Sequence, residues 1–216
     1  MFRIFLSDGP LAFFAVFLSL IAAISIHEFA HAFAADKLGD PTPRLQGRLT
    51  LNPLAHLDPI GTLLLVVIGF GWGKPVMFDP YNLKDPRRDA AIISLAGPTS
   101  NILLAVITAV IFRISLISNI PTSITFDILP LIVFYNLLLA FFNLIPIHPL
   151  DGGKIFIGLL PASEARDADN FLRRYGLIIL LFLIFPIFGG RSPIFSIISP
   201  VISTIMGILL PGSPPV

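Results

Sequence analysis

The sequence predicts an all-α polytopic membrane protein with about five transmembrane helices, a re-entrant or half-membrane segment and a small cytoplasmic β element. Composition is the first observation behind this prediction. Hydrophobic residues make up 55% of the 216 residues, charged residues make up 12%, and the mean hydropathy is +0.90. Most side chains therefore suit lipid rather than water. The second observation is that long uncharged runs recur along the chain, and we interpret residues 1–216 as a single integral-membrane domain.

Five uncharged runs are each about long enough for one helix across the hydrocarbon: residues 9–26, 90–112, 128–147, 175–190 and 192–216. The fourth run is short, but Arg173 and Arg174 can extend to the interface and let its helix begin earlier. Residues 60–72 form another apolar piece, with only about 13 residues and three glycines. A helix of that length is too short for a core of about 30 Å, so we predict a re-entrant or half-buried segment.

A cytoplasmic β element is predicted between the first run and this short segment. Residues 44–51 alternate polar and apolar side chains after Pro41, Thr42 and Pro43. Alternation with a period of two is typical of a strand, so we expect a short strand or hairpin here.

Basic residues predict how the chain is oriented, because cytoplasmic loops carry an excess of Lys and Arg. If residues 60–72 enter and leave the membrane on one side, three of the 14 basic residues, Arg3, Arg113 and Arg191, face one side and the other eleven face the opposite side. This predicts a multi-pass protein of the cell membrane with its N-terminus outside and its C-terminus cytoplasmic. The net charge of +1, with no basic run, gives no reason to expect nucleic acid as a partner.

The stretch His27-Glu28-Phe29-Ala30-His31 places two imidazoles and a carboxylate at the end of the first apolar run. Residues four apart lie on the same face of a helix, so His27 and His31 can bind one zinc ion. Glu28 would then act as the general base that takes a proton from the attacking water. The structural alternatives are a pair of hydrogen-bonded interior histidines and an ion-paired or protonated Glu28. The predicted active site lies near the cytoplasmic side.

Asp151 is the candidate for the third zinc ligand. Hydrolytic zinc sites usually have three protein ligands, and the absence of cysteine excludes thiolates. Asp151 follows a stretch broken by Pro146 and Pro149, at the end of the third apolar run, where the topology places it at the depth of His31. The alternative is an ordinary turn, since Asp-Gly-Gly sequences favour turns.

These motifs resemble the site-2 protease family of intramembrane zinc metalloproteases in its small prokaryotic form. The residues that carry the resemblance are 27–31, 96–101, 143–153, 52–61 and 71–75. The resemblance implies that the protein cleaves transmembrane-helix substrates in the lipid bilayer, with one zinc ion on His27, His31 and Asp151. The chain differs from larger relatives in leaving no room for a PDZ or nucleotide-sensing domain.

Further roles follow from the same resemblance. Asn143 would bind the substrate strand or the developing oxyanion, unless it makes an interhelical hydrogen bond. His56 would enter the active-site cavity, or else stabilise a turn at the interface. Gly97 and Asn101, four apart on a helix, would permit close packing against the first span. No role is predicted for His148.

Other functions are compatible with the same residues. An ion or metal transporter also uses intramembrane His, Glu and Asp residues, although it would spread them through the membrane depth. A catalytically silent homologue could bind membrane proteins without cleaving them. Two histidines and a carboxylate also suit iron, although the adjacent Glu28 favours zinc. The sequence does not fix the oligomeric state, and a homo-oligomer is compatible with it.

Overall fold

A computed structural model describes residues 9–69, 71–118, 124–185 and 192–211. Short 3-10 turns at Pro53–Ala55 and Pro80–Asn82 and a π-helical turn at Ile124–Ile128 join longer helices. In chain order the α-helices are α1 (Gly9–Lys37), α2 (Thr42–Leu45), α3 (Pro59–Ile68), α4 (Pro86–Ile117), α5 (Leu129–Asn143), α6 (Asp151–Leu159), α7 (Ala162–Ile184) and α8 (Pro193–Leu209).

Aspartates and prolines begin two of these helices. Asp58 accepts a hydrogen bond from the N–H of Gly61 at the start of α3, and Asp85 does the same for Arg88 at the start of α4. A proline follows each aspartate, at a position where a helix needs no N–H donor. Helix α3 ends at Gly69, whose φ of 84° is a left-handed conformation that glycine adopts without strain.

Three helical segments are long and apolar enough to cross a membrane: Gly9–Lys37, Pro86–Ile117 and Thr125–Asn143. They correspond to the first three predicted spans. The apolar helices α3 and α8 are shorter, with 10 and 17 residues. Helix α7 is charged in its first half and apolar in its second half. The structure therefore supports a polytopic all-α membrane fold.

Helices α1, α4 and α5 pack against one another and form the part of the fold that carries the site. Small buried residues such as Ala23, Ala32 and Ala105 allow their backbones to approach closely. A larger apolar core lies further along α4 and α5, where Phe112 and Leu137 belong to one buried cluster with Ile194, Ile198 and Ile202 of α8.

The prediction of a strand over residues 44–51 was wrong. Thr42–Leu45 is a helical turn, and the following residues form turns and bends. Asp40 accepts a hydrogen bond from the N–H of Thr42, and Gly47 has a φ of 68° that reverses the chain. Among the described residues, β pairing is limited to one antiparallel bridge between Leu57 and Gly73. The alternation of polar and apolar residues did not mark a buried face, because Leu45 and Leu51 are exposed whereas Arg48 is buried.

Several predictions extend beyond the described residues. Parts of three predicted segments lie outside the residues that the structure describes: Phe70 of the short segment, residues 186–190 of the fourth span and residues 212–216 of the fifth span. Arg3 and Arg191 also lie outside them.

Candidate metal centre

Helix α1 carries His27, Glu28 and His31 well inside its length, so their backbone conformation is fixed on both sides. The two imidazole rings stand on one face with centroids 4.6 Å apart and planes almost perpendicular. Only 4% of His27 and 7% of His31 is exposed. The helix thus presents two histidine rings to the same small buried space.

Asp151 reaches this space from a different part of the chain. Helix α5 ends at Asn143, and α6 begins at Asp151 after the intervening turn. One carboxylate oxygen, Oδ2, lies 3.0 Å from Nε2 of His27 and 3.2 Å from Nε2 of His31. The predicted ligand atoms of these residues all lie within 4.8 Å of one another. The structure therefore brings together the residues that the sequence singled out.

The hydrogen bonds of the other ring nitrogens indicate which nitrogen of each neutral imidazole carries the proton. Nδ1 of His31 donates to the carbonyl of Ile93 over 2.7 Å, and Nδ1 of His27 donates to Oδ1 of Asn101 over 2.6 Å. In a neutral imidazole the proton sits on only one nitrogen, so both Nε2 atoms present lone pairs. These lone pairs face a carboxylate oxygen, which also lacks a hydrogen. Three electron-pair donors converge, and a bound cation would relieve their repulsion.

The chemistry of this donor set fits zinc. Ligand atoms at about 2.0–2.2 Å from a tetrahedral zinc ion lie roughly 3.3 Å apart, close to the separations between Asp151 and the two histidines. Three protein ligands also leave one tetrahedral position for water. Each Nδ1–H has an acceptor that orients its ring, as is usual for histidine ligands of metals.

Glu28 lies next to the first histidine and faces an extended segment of the chain. Its Oε2 accepts a hydrogen bond of 3.0 Å from the N–H of Val76. Gly73 in the same segment lies so close that an added Cβ would be 4.0 Å from Oε1 of Glu28 and 3.0 Å from a methyl group of Ile24. The N–H of Lys74 donates to the carbonyl of His56, which holds this segment against the preceding loop.

The structure gives Asn101 a role that sequence reasoning missed. Its side-chain oxygen accepts from His27, and its amide N–H groups donate to the carbonyl of Ala23 and to the side-chain oxygen of Asn136. Both asparagines are fully buried. The signal that could have revealed Asn136 is an amide in an otherwise apolar stretch of α5, since buried polar groups need partners.

Gly97 behaves as the sequence predicted, since it permits close packing of α4 against α1. A Cβ at this position would lie 2.5 Å from the ring of His31 and 2.7 Å from the ring of His27. Both separations are far below van der Waals contact, so only glycine fits beside the two rings.

The remaining predicted residues lie in more ordinary surroundings. The Asn143 amide donates to the carbonyl of Leu139 on its own helix. His56 is fully buried and donates from Nε2 to the carbonyl of Thr50, which is a loop-stabilising contact. His148 lies 3.1 Å from Asp169 and ties the α5–α6 connection to α7.

Two histidines and a glutamate in this spacing, with a carboxylate from a distant part of the chain, are typical of metal-dependent peptidases. The family comparisons agree with this class. Residues 114–186 match the model for peptidase family M50. The chain belongs to this family, the site-2 proteases.

Individual relatives support the assignment over more of the chain. It is 38% identical over 172 residues to "Putative zinc metalloprotease YwhC" of Bacillus subtilis, covering 77% of this chain and 78% of that protein. It is 32% identical to "Putative zinc metalloprotease Rip2" of Mycolicibacterium smegmatis, covering 81% and 70%. The Mycobacterium tuberculosis protein of the same name is also 32% identical, over 81% and 69%. No solved structure is significantly similar to this chain.

Proposed function

We propose that this metalloprotease works inside the membrane and hydrolyses peptide bonds within or beside transmembrane helices of other proteins. One zinc ion per chain would be held by His27, His31 and Asp151. The observation that carries this proposal is the convergence of those three side chains beside Glu28 on α1, a helix long and apolar enough to cross a membrane. A site on such a helix is reached most directly by substrates that are themselves in the membrane.

The chain's own residues have defined tasks in this reaction. When bound, zinc supplies a Lewis acid that polarises the scissile carbonyl and lowers the pKa of water toward 7. Glu28 accepts the proton of the attacking water and returns it to the leaving nitrogen. Asn101 and the Ile93 carbonyl hold the two imidazoles in the tautomer that leaves Nε2 free. Asn143 would support the substrate strand, and His56 would support the loop beside Glu28.

The substrate helix must unwind before it is cut, because its carbonyl groups are otherwise occupied by helical hydrogen bonds. We therefore expect faster cleavage of substrates with Gly or Pro near the cut than of matched substrates with Ala or Leu there. Equal cleavage rates for the two versions would contradict this part of the proposal.

The cellular setting belongs to the same proposal. The N-terminus would lie outside and the C-terminus in the cytoplasm, with the active site near the cytoplasmic side. Cleavage there would release cytoplasmic segments of membrane proteins for signalling, or clear remnants left in the bilayer. The substrates would be single-span or multi-span membrane proteins. The protease itself would act either as a single chain or as a homo-oligomer.

The experiment that tests this function uses purified protein in liposomes with a panel of single-span substrates. We expect wild type to cleave some of them, and Glu28→Gln to lose cleavage while it keeps about one zinc per chain. Glu164→Gln, at an exposed position of α7, is the matched control and should keep both properties.

The alternatives give different results in the same experiment. Zinc bound in both proteins with no cleavage of any substrate would support a catalytically silent homologue. Zinc uptake into the liposomes, abolished by Asp151→Asn, would support a transporter. A folded protein that binds no zinc would overturn the metal site.

A further inference from the structure

A cavity of about 990 Å³ opens next to α6, the helix that begins with Asp151. Its lining contains Arg87 from α4, Lys154 from α6, and Arg166 and Arg173 from α7. His148 and Asp169 also face it, and Phe78 and Ile157 contribute apolar surface. The described lining thus combines four basic side chains with a single carboxylate.

That carboxylate is already neutralised by its neighbours. Asp169 accepts hydrogen bonds from Nε of Arg173 over 2.8 Å and from Nε2 of His148 over 3.1 Å. Burial acts to raise the pKa of Asp169, but these bonds outweigh it and hold the pKa below its ordinary value. The charges of Asp169 and Arg173 therefore cancel one another. The remaining positive charge of the cavity comes from Arg87, Lys154 and Arg166.

The other three basic side chains form no close ion pair with a carboxylate in the described part of the chain, although Asp151 and Glu28 interact with Lys154 at longer range. Arg87 donates to the carbonyl of Leu160, which fixes its position without neutralising it. The ammonium of Lys154 lies 4.7 Å from the centre of the Phe78 ring, a weak cation–π contact. Arg166 is exposed at the outer part of the cavity. A partly enclosed space lined by more basic than acidic side chains attracts an anion.

Lys154 connects this charge to the metal centre. It follows Asp151 by three residues on α6, a rise of about 4.5 Å along the helix. A cavity of this volume is on the order of 10 Å across, or about three residues of extended chain. An anion bound beside Lys154 would therefore lie within about five residues of a peptide bond held at the metal ligands.

We propose that this cavity is a substrate subsite that binds an acidic side chain, Asp or Glu, close to the scissile bond. The inference rests on the proposed function, because the anion is assigned to the polypeptide that reaches the metal centre. A polypeptide is favoured over a lipid headgroup because the inner cation, Lys154, is carried by the same short helix as Asp151. Lys154 and Arg166 would be specificity-determining residues at the inner and outer parts of the subsite.

A binding experiment tests the subsite without relying on cleavage. Zinc-loaded Glu28→Gln protein in phosphatidylcholine nanodiscs is titrated with fluorescent single-span peptides. These peptides carry Glu, Gln or Lys at each of ten positions around the cytoplasmic end of the span. We expect the Glu peptide to bind about tenfold more tightly than the Lys peptide at one or two neighbouring positions, with Gln between them.

Charge variants locate this preference. Arg166→Glu and Lys154→Gln should each remove most of the preference for Glu and change the affinity of the Gln peptide little. Arg174→Glu is the matched control, because Arg174 is exposed on the same helix but does not line the cavity. Equal affinities for the Glu and Lys peptides at every position would overturn the inference. Equal weakening of all three peptides by the cavity variants would also overturn it.

Two further outcomes separate the explanations. If phosphatidylglycerol strengthens binding of all peptides equally and Arg166→Glu abolishes that effect, the cavity is a lipid-headgroup site and the inference is overturned. If the preference for Glu persists but wild-type protein cleaves none of the peptides, the proposed function fails while the subsite stands. Cleavage by wild type with the same preference for Glu supports both.

Discussion

Asn101 links the packing of the helices to the chemistry of the site. It is fully buried, and its hydrogen bond to Nδ1 of His27 fixes the ring in the tautomer that exposes Nε2. Asn136 and the Ala23 carbonyl in turn fix the orientation of the Asn101 amide. The position of one proposed ligand therefore depends on a chain of hydrogen bonds through α4 and α5.

Asn101→Leu should weaken zinc binding by about 10- to 100-fold, the range seen when partners of metal-binding histidines are removed. Leucine has a similar volume but cannot accept the proton of His27, so the ring loses its fixed tautomer. Competition with a zinc chelator in detergent measures the change. Thr99→Ala, at an exposed position of α4, should leave zinc affinity unchanged. Unaltered affinity in Asn101→Leu would mean that Asn101 has only a packing role.

Gly97→Ala should disrupt the metal centre through one added methyl group. The new Cβ would lie 2.5 Å from the His31 ring, so the ring or the helix must move. We expect loss of most bound zinc and of cleavage, measured by metal analysis and substrate turnover. Gly207→Ala on α8 is the matched control, because a Cβ there meets nothing within 4 Å. A variant at Gly97 that retained zinc and activity would contradict the observed packing.

The relative positions of site residues on one helix were predictable from the sequence. Their contacts with residues of other helices were less predictable. His27, Glu28 and His31 lie within five consecutive positions of α1, and helical periodicity alone fixes their relative positions. Asp151 was proposed as their partner, and the structure places it within hydrogen-bonding distance. Asn136 was not predicted, because its contact with Asn101 depends on how α4 and α5 pack against each other.

At the scale of elements, Asp40 fastens the end of α1 to the segment that precedes α4. This fully buried carboxylate accepts hydrogen bonds from the N–H and hydroxyl of Thr42, the N–H of Asp79 and the amide of Asn82. Burial acts to raise the pKa of Asp40, but these donors outweigh it and lower the pKa below the ordinary value of 3.8. The carboxylate form is therefore favoured in the folded protein.

The stability contributed by Asp40 should depend on pH with a defined sign. A lowered pKa in the folded state means that the contribution is full above the ordinary pKa, which the unfolded chain has, and is lost as the pH falls below it toward the folded pKa. Asp40→Asn should lose on the order of 1–3 kcal/mol above pH 5, because an amide N–H would face the N–H of Asp79. The difference from wild type should narrow below pH 4. Thermal unfolding in detergent, followed by circular dichroism, measures both.

The matched control for this prediction is Asp167→Asn, because Asp167 is exposed on α7. That variant should unfold like wild type across the whole pH range. A constant difference between Asp40→Asn and wild type down to pH 3 would contradict a role for the carboxylate charge.

The same region explains why the strand prediction failed. Periodicity over residues 44–51 indicated a strand, but a strand needs a partner for its N–H and C=O groups. The guanidinium of Arg48 donates to the Ala55 carbonyl, and the N–H of Arg48 bonds to the Pro43 carbonyl. Polar groups of this loop therefore find hydrogen-bond partners nearby in the chain, without a sheet. An alternation of polar and apolar residues does not reveal where such partners lie.

At the scale of the whole molecule, the orientation in the membrane is open to a direct test. The chain has no cysteine, so single cysteines can be introduced without a background signal. In intact cells Ser118→Cys, at the end of α4, should react with a membrane-impermeant maleimide. Ser163→Cys, at the start of α7, should react only after permeabilisation. Both positions are exposed in the structure.

The two labelling results decide the topology together. Opposite behaviour of Ser118→Cys and Ser163→Cys, in the order expected, supports an external N-terminus and a cytoplasmic active site. Labelling of both from the same side would mean that the charge distribution of the loops was a poor guide. Labelling in the reverse order would invert the whole topology and place the active site outside.

The sequence by itself determined the class of the fold, the apolar runs at the three long helices and the arrangement of His27, Glu28 and His31, because hydropathy and helical periodicity are local properties. It also supplied Asp151 as a candidate. Only the tertiary structure decided that Asp151 lies against both histidines, that Asn101 and Asn136 orient one of them, and that four cations share a cavity beside α6. Those contacts join residues far apart in the chain, and their distances depend on how closely α1, α4 and α5 can pack.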